Sequence, residues 1–102
     1  MRIVAFVSDL MDRSRISAAD QGVAFVASVE GAVDADVVVV DLARFADLVA
    51  PVRAAVPAAR VVAYGAHVDE ALLDRARQDG ADLVLPRSQF FRDPGAHLAP
   101  AP

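Results

Sequence analysis

At 102 residues, with 56% hydrophobic and only 24% charged side chains, the chain can build one domain around a single modest core and is too short for two. A net charge of -4, with ten arginines and no lysine, gives no uniform attraction to nucleic acid or to an anionic membrane. The absence of cysteine excludes disulfides, thiol catalysis and cysteine-bound metals. The mean hydropathy of +0.40 is high, yet no apolar run approaches the roughly 20 residues of a membrane span. A soluble, cytoplasmic protein is expected, with neither a nucleic acid nor a membrane as partner.

Apolar runs alternate with amphipathic ones along the chain. Arg2 to Val7 reads as a first strand, and Asp12 to Asp20 as a helix with Ile16 and Ala19 on one face, stopped at Gly22. Val23 to Ala27 is strand two. Only nine residues separate Ala27 from Val37, fewer than the dozen or so of a helical parallel crossover, so the second helix is a single turn or absent. Val37 to Val40 is strand three, a fully apolar run that delivers Asp41 to its exposed end. Phe45, Leu48, Val49, Val52 and Val56 then recur at helical spacing, although Pro51 kinks that helix or makes it start late. Arg60 to Tyr64 is strand four. Asp69 reads as the N-cap of a helix closed by Gly80, and Leu83 to Leu85 is strand five. The last helix, Ser88 to Arg92, is truncated because Pro94 and Gly95 end it. Residues 1–92 therefore form the domain, and the Pro/Ala-rich stretch 93–102 reads as a disordered tail.

Strands alternating with helices imply right-handed crossovers and a parallel sheet covered on both faces. The expected fold is α/β, flavodoxin-like, with five parallel strands in the order 2-1-3-4-5. Short second and last helices would leave apolar sheet under-covered. Phe25, Phe90 and Phe91 are then candidates for burial by a second copy or another protein.

Over nearly its whole length the chain resembles the receiver domains of bacterial response regulators. The resemblance rests on Arg2-Ile-Val-Ala-Phe-Val-Ser-Asp9, Asp36-Val-Val-Val-Val-Asp41-Leu, Val61-Val-Ala-Tyr-Gly-Ala-His67 and, as the best local match, Ala76-Arg-Gln-Asp-Gly-Ala-Asp-Leu-Val-Leu85. It implies a magnesium-binding acidic pair after strand one, a phosphoacceptor aspartate ending strand three, a hydroxyl residue after strand four and a lysine after strand five. Here Ser8-Asp9 replaces the acidic pair and Asp41 matches the acceptor. Gly65 stands at the hydroxyl position, and Arg87, preceded by Pro86, at the lysine position. Magnesium takes an octahedral oxygen shell, for which Asp9 and Asp41 are weak candidates.

Phosphoryl transfer depends on positioning and on charge neutralisation by metal and cations. A planar guanidinium does not reproduce an ammonium, and no side chain at Gly65 can be drawn toward a phosphate. Asp41 is therefore phosphoacceptor-like but expected to be inactive, with Ser8 and Asp9 a vestigial acidic site. Arg13, Arg15 and Arg44 lie where a helix start meets the strand ends and form a possible anion site, against the plainer reading that Arg13 and Arg15 pair with Asp9, Asp12 or Asp41. His67 is a loop residue with an unperturbed pKa near neutrality and is read as a solvated contact; His97 is given no role.

The expectation is a non-catalytic pseudo-receiver without cofactor or resident metal. It would act by protein–protein contact in bacterial signalling, as a homodimer or with an unidentified protein partner. Two alternatives stay open: a working receiver phosphorylated on Asp41, and a binder of a small phosphate-bearing ligand at the arginine-lined crevice.

Overall fold

The computed structural model describes residues 1–100. Five strands, β1 (Ile3–Phe6), β2 (Ala24–Phe25), β3 (Val37–Asp41), β4 (Arg60–Gly65) and β5 (Leu83–Pro86), form one sheet in the order β2-β1-β3-β4-β5. Every pairing is parallel. The central strand β3 is buried along all of its length, which is why it reads as an unbroken valine run rather than an alternating one. Register sets Asp41 beside Tyr64 on β4, and Gly65 beside Pro86 on β5. These four positions form the carboxyl-end rim of the sheet.

The alternation within each strand divides the core in two. Val4, Phe6, Val38, Val40, Val61 and Ala63 face one way. They are covered by Leu42 of α2 (Leu42–Phe45), Val49 and Val52 of α3 (Val49–Ala55), and Leu73 and Ala76 of α4 (Glu70–Gln78). Ile3, Ala5, Val7, Val37, Val39, Val62 and Tyr64 face the other way. Ile16 of α1 (Leu10–Ala19) and Phe90 of α5 (Arg87–Arg92) cover them. The expected shortening is present: a 3-10 turn, Val29–Ala32, replaces the second helix, and α5 has 6 residues. Pro51 is the third residue of α3, inside the first turn where its missing N–H leaves no helical bond unmade.

Two expectations fail, for one reason. Phe90 is fully buried within the chain, stacked on Tyr64 with ring centroids 4.8 Å apart, and offers nothing to a partner. Phe25 and Phe91 are half-buried, with guanidinium groups over their rings: Arg13 at 5.0 Å from Phe25, Arg87 at 4.9 Å and Arg15 at 5.7 Å from Phe91. Residues 94–98 are not frayed either. Pro94–His97 form a 3-10 turn against α1 and α5, His97 stacks on Phe90, and Leu98 is 3% exposed in the same core. Leu98 covers sheet that a six-residue α5 leaves bare, and a 3-10 turn needs too few residues for Pro and Gly to forbid it. Ala101 and Pro102 lie outside the described residues.

Asp82, exposed beside the Gly80 turn, anchors a clamp. Arg53 on α3 donates from Nε to the Gly80 carbonyl at 2.9 Å, and from Nη1 to the Pro57 and Ala59 carbonyls at 3.0 and 2.9 Å. Its Nη2 meets Asp82, whose Oδ2 also accepts from the Val61 amide at 2.8 Å. Gly80 has φ +109, and a Cβ there would sit 2.7 Å from Arg53 Cγ, so glycine serves both the left-handed backbone and the close approach. Arg53→Ala is expected to cost about 1.5–3 kcal/mol, since it removes charge-assisted bonds to partly buried carbonyls; urea unfolding at pH 7 measures it.

Candidate functional site

At the carboxyl ends of β1, β3 and β5 lies a cleft of about 400 Å3, lined by Ser8, Asp9, Asp12, Asp41, Ala43, Arg44 and Arg87. Each aspartate is held by a local structural cause. Asp9 is the N-cap of α1, with Oδ1 accepting the Asp12 amide at 2.9 Å. Asp41 ends β3 and caps α2, with Oδ1 accepting the Ala43 amide at 3.0 Å. Ser8 is exposed.

Asp12 is the best-connected acid. It is 2% exposed, and Arg87 engages both of its oxygens, Nη1 reaching Oδ2 at 2.7 Å and Nη2 reaching Oδ1. The Tyr64 hydroxyl donates to Oδ2 at 3.1 Å. The Arg87 hydrogen bonds hold the Asp12 carboxyl below the usual carboxylate range, against the opposing effect of burial. Burial first, then the charges of Asp41 and Asp12, push the Tyr64 phenol up, so it stays a donor. The Asp12 contact likewise raises the Arg87 pKa and fixes its charge.

Asp41 is in the opposite condition. It is 5% exposed, and burial is the main cause that pushes its carboxyl up, with the charges of Asp12 and Asp9 adding to it. A raised folded-state pKa means that protonation favours folding, so Asp41 adds stability as pH falls through that value and withdraws it above. Asp41→Asn keeps an oxygen for the Ala43 amide and removes the buried charge. It is expected to stabilise the domain by about 1 kcal/mol at pH 7, a Tm higher by roughly 4–8 °C, with the advantage shrinking as the acid range is entered; calorimetry at several pH values checks this.

The cleft brings together Ser8, Asp9, Asp41, Arg44 and Arg87, but not the expected arginine set. Arg13 is turned away, donating from Nε to the Val7 carbonyl at 2.6 Å, and Arg15 lies over Phe91. His67 is exposed and sits in a separate depression with Glu70, Leu73, Asp74 and Arg77. Gly65 is buried, and a Cβ there would lie 3.3 Å from Leu73 Cδ2 and 3.4 Å from Leu42 Cβ, so the room a hydroxyl side chain would use is tightly bounded. The magnesium ion that such a fold implies fits poorly. Both Asp12 oxygens serve Arg87, one oxygen each of Asp9 and Asp41 caps a helix, and a guanidinium shares the cleft. Among the described residues no three metal-ligating side chains converge.

Tyr64 escaped the sequence reading, and Asp12 was weighed only against the wrong arginines. Alternation on β4 places Val62 and Tyr64 on the α1 and α5 face. A buried tyrosine at the end of that run needs a partner for its hydroxyl, which was the available signal.

No family model matches the chain, and no curated protein matches it. Solved structures do. A response regulator from Burkholderia pseudomallei, described with a phosphorylated aspartic acid, a calcium ion and citrate, aligns at TM-score 0.77 and 19% identity over 96% of this chain. This chain spans 66% of that one. A CheY-like protein, TadZ, from Pseudomonas aeruginosa gives 0.71 and 21% over 86% of this chain and 87% of the other. The orphan response regulator HP1043 of Helicobacter pylori gives 0.72 and 15% over 97% of both. With strand order, crossovers and neighbours in agreement, the chain has the CheY-like, flavodoxin-type fold of response-regulator receiver domains.

Proposed function

We propose that this domain is a pseudo-receiver: a non-catalytic signalling module that works by binding another protein and not by accepting a phosphoryl group. The observation that carries the reading is the engagement of Arg87 by Asp12. The cation at the lysine position is committed to a buried carboxylate on α1, so it is not held ready for an anion on Asp41. Leu42 and Leu73 crowd the position of the hydroxyl residue, and the oxygens left to a metal are few. A receiver switch requires contacts that differ between two states, and those contacts are either missing here or already used.

A homodimer was expected from bare sheet around Phe25, Phe90 and Phe91. Since α1, α5 and the turn that follows cover them within one chain, the partner we favour is a different protein. The working-receiver alternative retains one supporting feature, a buried aspartate in the acceptor position with one oxygen that takes no hydrogen bond among the described residues. Incubation with acetyl phosphate and magnesium, followed by intact mass measurement, tests the choice. The mass is expected to stay unchanged; a stoichiometric phosphoryl adduct lost in Asp41→Asn would overturn the pseudo-receiver.

A further inference from the structure

Among the described residues, five large apolar side chains are exposed. Met1 and Val33 precede strands β1 and β3. The other three, Leu10 (78%), Met11 (69%) and Val68 (77%), lie at the opposite end of the sheet, in the segments that follow β1 and β4. Leu10 and Met11 directly succeed Asp9, a wall of the cleft. The cleft holds three carboxylates and two guanidinium groups, but Arg87 and Asp12 neutralise each other. Asp9 and Asp41 then remain against Arg44. Asp41 is the unusual group: it is 95% buried by its 5% exposure, it lines the cleft, and its Oδ2 takes no hydrogen bond among the described residues. A buried carboxylate without a cation is costly, and a cation supplied from outside relieves that cost.

We infer that the cleft receives one arginine or lysine side chain of a partner protein, flanked by apolar residues that rest on Leu10 and Met11. The free oxygens of Asp9 and Asp41 suit a monovalent guanidinium or ammonium, which needs acceptors but no octahedral shell. The partner thus supplies in trans the cation that Arg87 no longer offers. Arg44, on the rim, opposes entry and selects against partners that lack apolar contacts to offset it. This inference deepens the interaction-module reading and rests on it.

The probe is a blocked pentapeptide, acetyl-Gly-Leu-Arg-Leu-Gly-amide, with its citrulline analogue as an isosteric neutral control. Both are titrated into the 15N-labelled protein. The arginine peptide is expected to give saturable amide shifts at Ser8, Asp9 and Ala43. Binding is expected to weaken about tenfold or more with citrulline and again with Asp41→Asn, the loss that follows when one member of a desolvated charge pair is neutralised. Leu10→Ser with Met11→Ser should weaken it through lost apolar contact, and Arg44→Ala should tighten it. Equal binding of the citrulline peptide, shifts centred away from the cleft, or an unsaturable response would each overturn the inference. So would displacement of the peptide by equimolar magnesium, which would make the cleft a metal site. Phosphoryl uptake at Asp41 would end the underlying pseudo-receiver reading; loss of the citrulline discrimination without such uptake would end only this one.

Discussion

Replacing Arg87 with alanine is expected to cost roughly 3–5 kcal/mol of folding stability, because it leaves a carboxylate of 2% exposure without its cation. The partner substitution is milder. Asp12→Asn keeps an acceptor for the Tyr64 hydroxyl and for one Arg87 N–H, and the Arg87 side chain, 47% exposed, can turn to water. About 1–2 kcal/mol is expected there. The direction of the asymmetry follows from burial: the deeper member of a pair suffers more when it loses its counter-charge. Acid should erase the difference between wild type and Asp12→Asn. The folded-state pKa of Asp12 is lowered, so its stabilisation is complete above the ordinary carboxylate value of 3.8 and is lost as pH falls below it toward the folded value. Urea unfolding at pH 7 and at low pH measures both effects. An Arg87→Ala protein as stable as Asp12→Asn would mean that the pair is surface decoration.

Phe90→Ala is expected to be comparably severe, about 3–5 kcal/mol, for a purely packing reason. The ring has no exposed surface and lies between Tyr64 and His97, with centroids 4.8 and 5.7 Å away, while Phe91 meets it edge-on at 4.9 Å. Truncation opens a cavity beneath α5 and loosens Leu98 beside it. Thermal unfolding should register the whole loss, with a Tm lower by well over ten degrees for a domain of this size. If Phe90 instead served a second copy, the variant would keep its unfolding midpoint at high dilution and lose only mass in light scattering. With Phe90 packed inside one chain, the reverse is expected: an unchanged, monomeric mass and a large thermal shift.

The fold was legible because its signals are local. Five apolar runs separated by amphipathic ones specify strands and crossovers, and the nine residues before Val37 could only hold a turn. Sheet burial then made Val37 to Val40 uniformly apolar and left Asp41 at the carboxyl end of the run, so the acid of the cleft was legible, although its own burial was not. What failed was long-range or too short to be periodic. The Tyr64 and Arg87 contacts to Asp12 span 52 and 75 residues of sequence, and nothing in the flanking residues marks them as a pair. With adjacent phenylalanines on a six-residue helix, periodicity cannot say which one faces inward; the structure buries Phe90 and leaves Phe91 under two arginines. Leu98 was hidden by its neighbours, because prolines, glycine and alanines rule out a helix yet say nothing against one leucine closing a gap in the core. Arg13 and Arg15 were placed at the right helix and the wrong face: Arg13 is consumed by the Val7 carbonyl and both lie over aromatic rings.

The central claim is that Arg87 belongs to Asp12 and does not transfer to an anion on Asp41. Titration with beryllofluoride and magnesium, which together mimic an aspartyl phosphate, addresses it through the guanidinium and amide resonances of 15N-labelled protein. The Arg87 side-chain signal is expected to stay where it is, with no saturable shift at Ala43 or Gly65. A saturable response in which Arg87 leaves Asp12, abolished in Asp41→Asn, would contradict it.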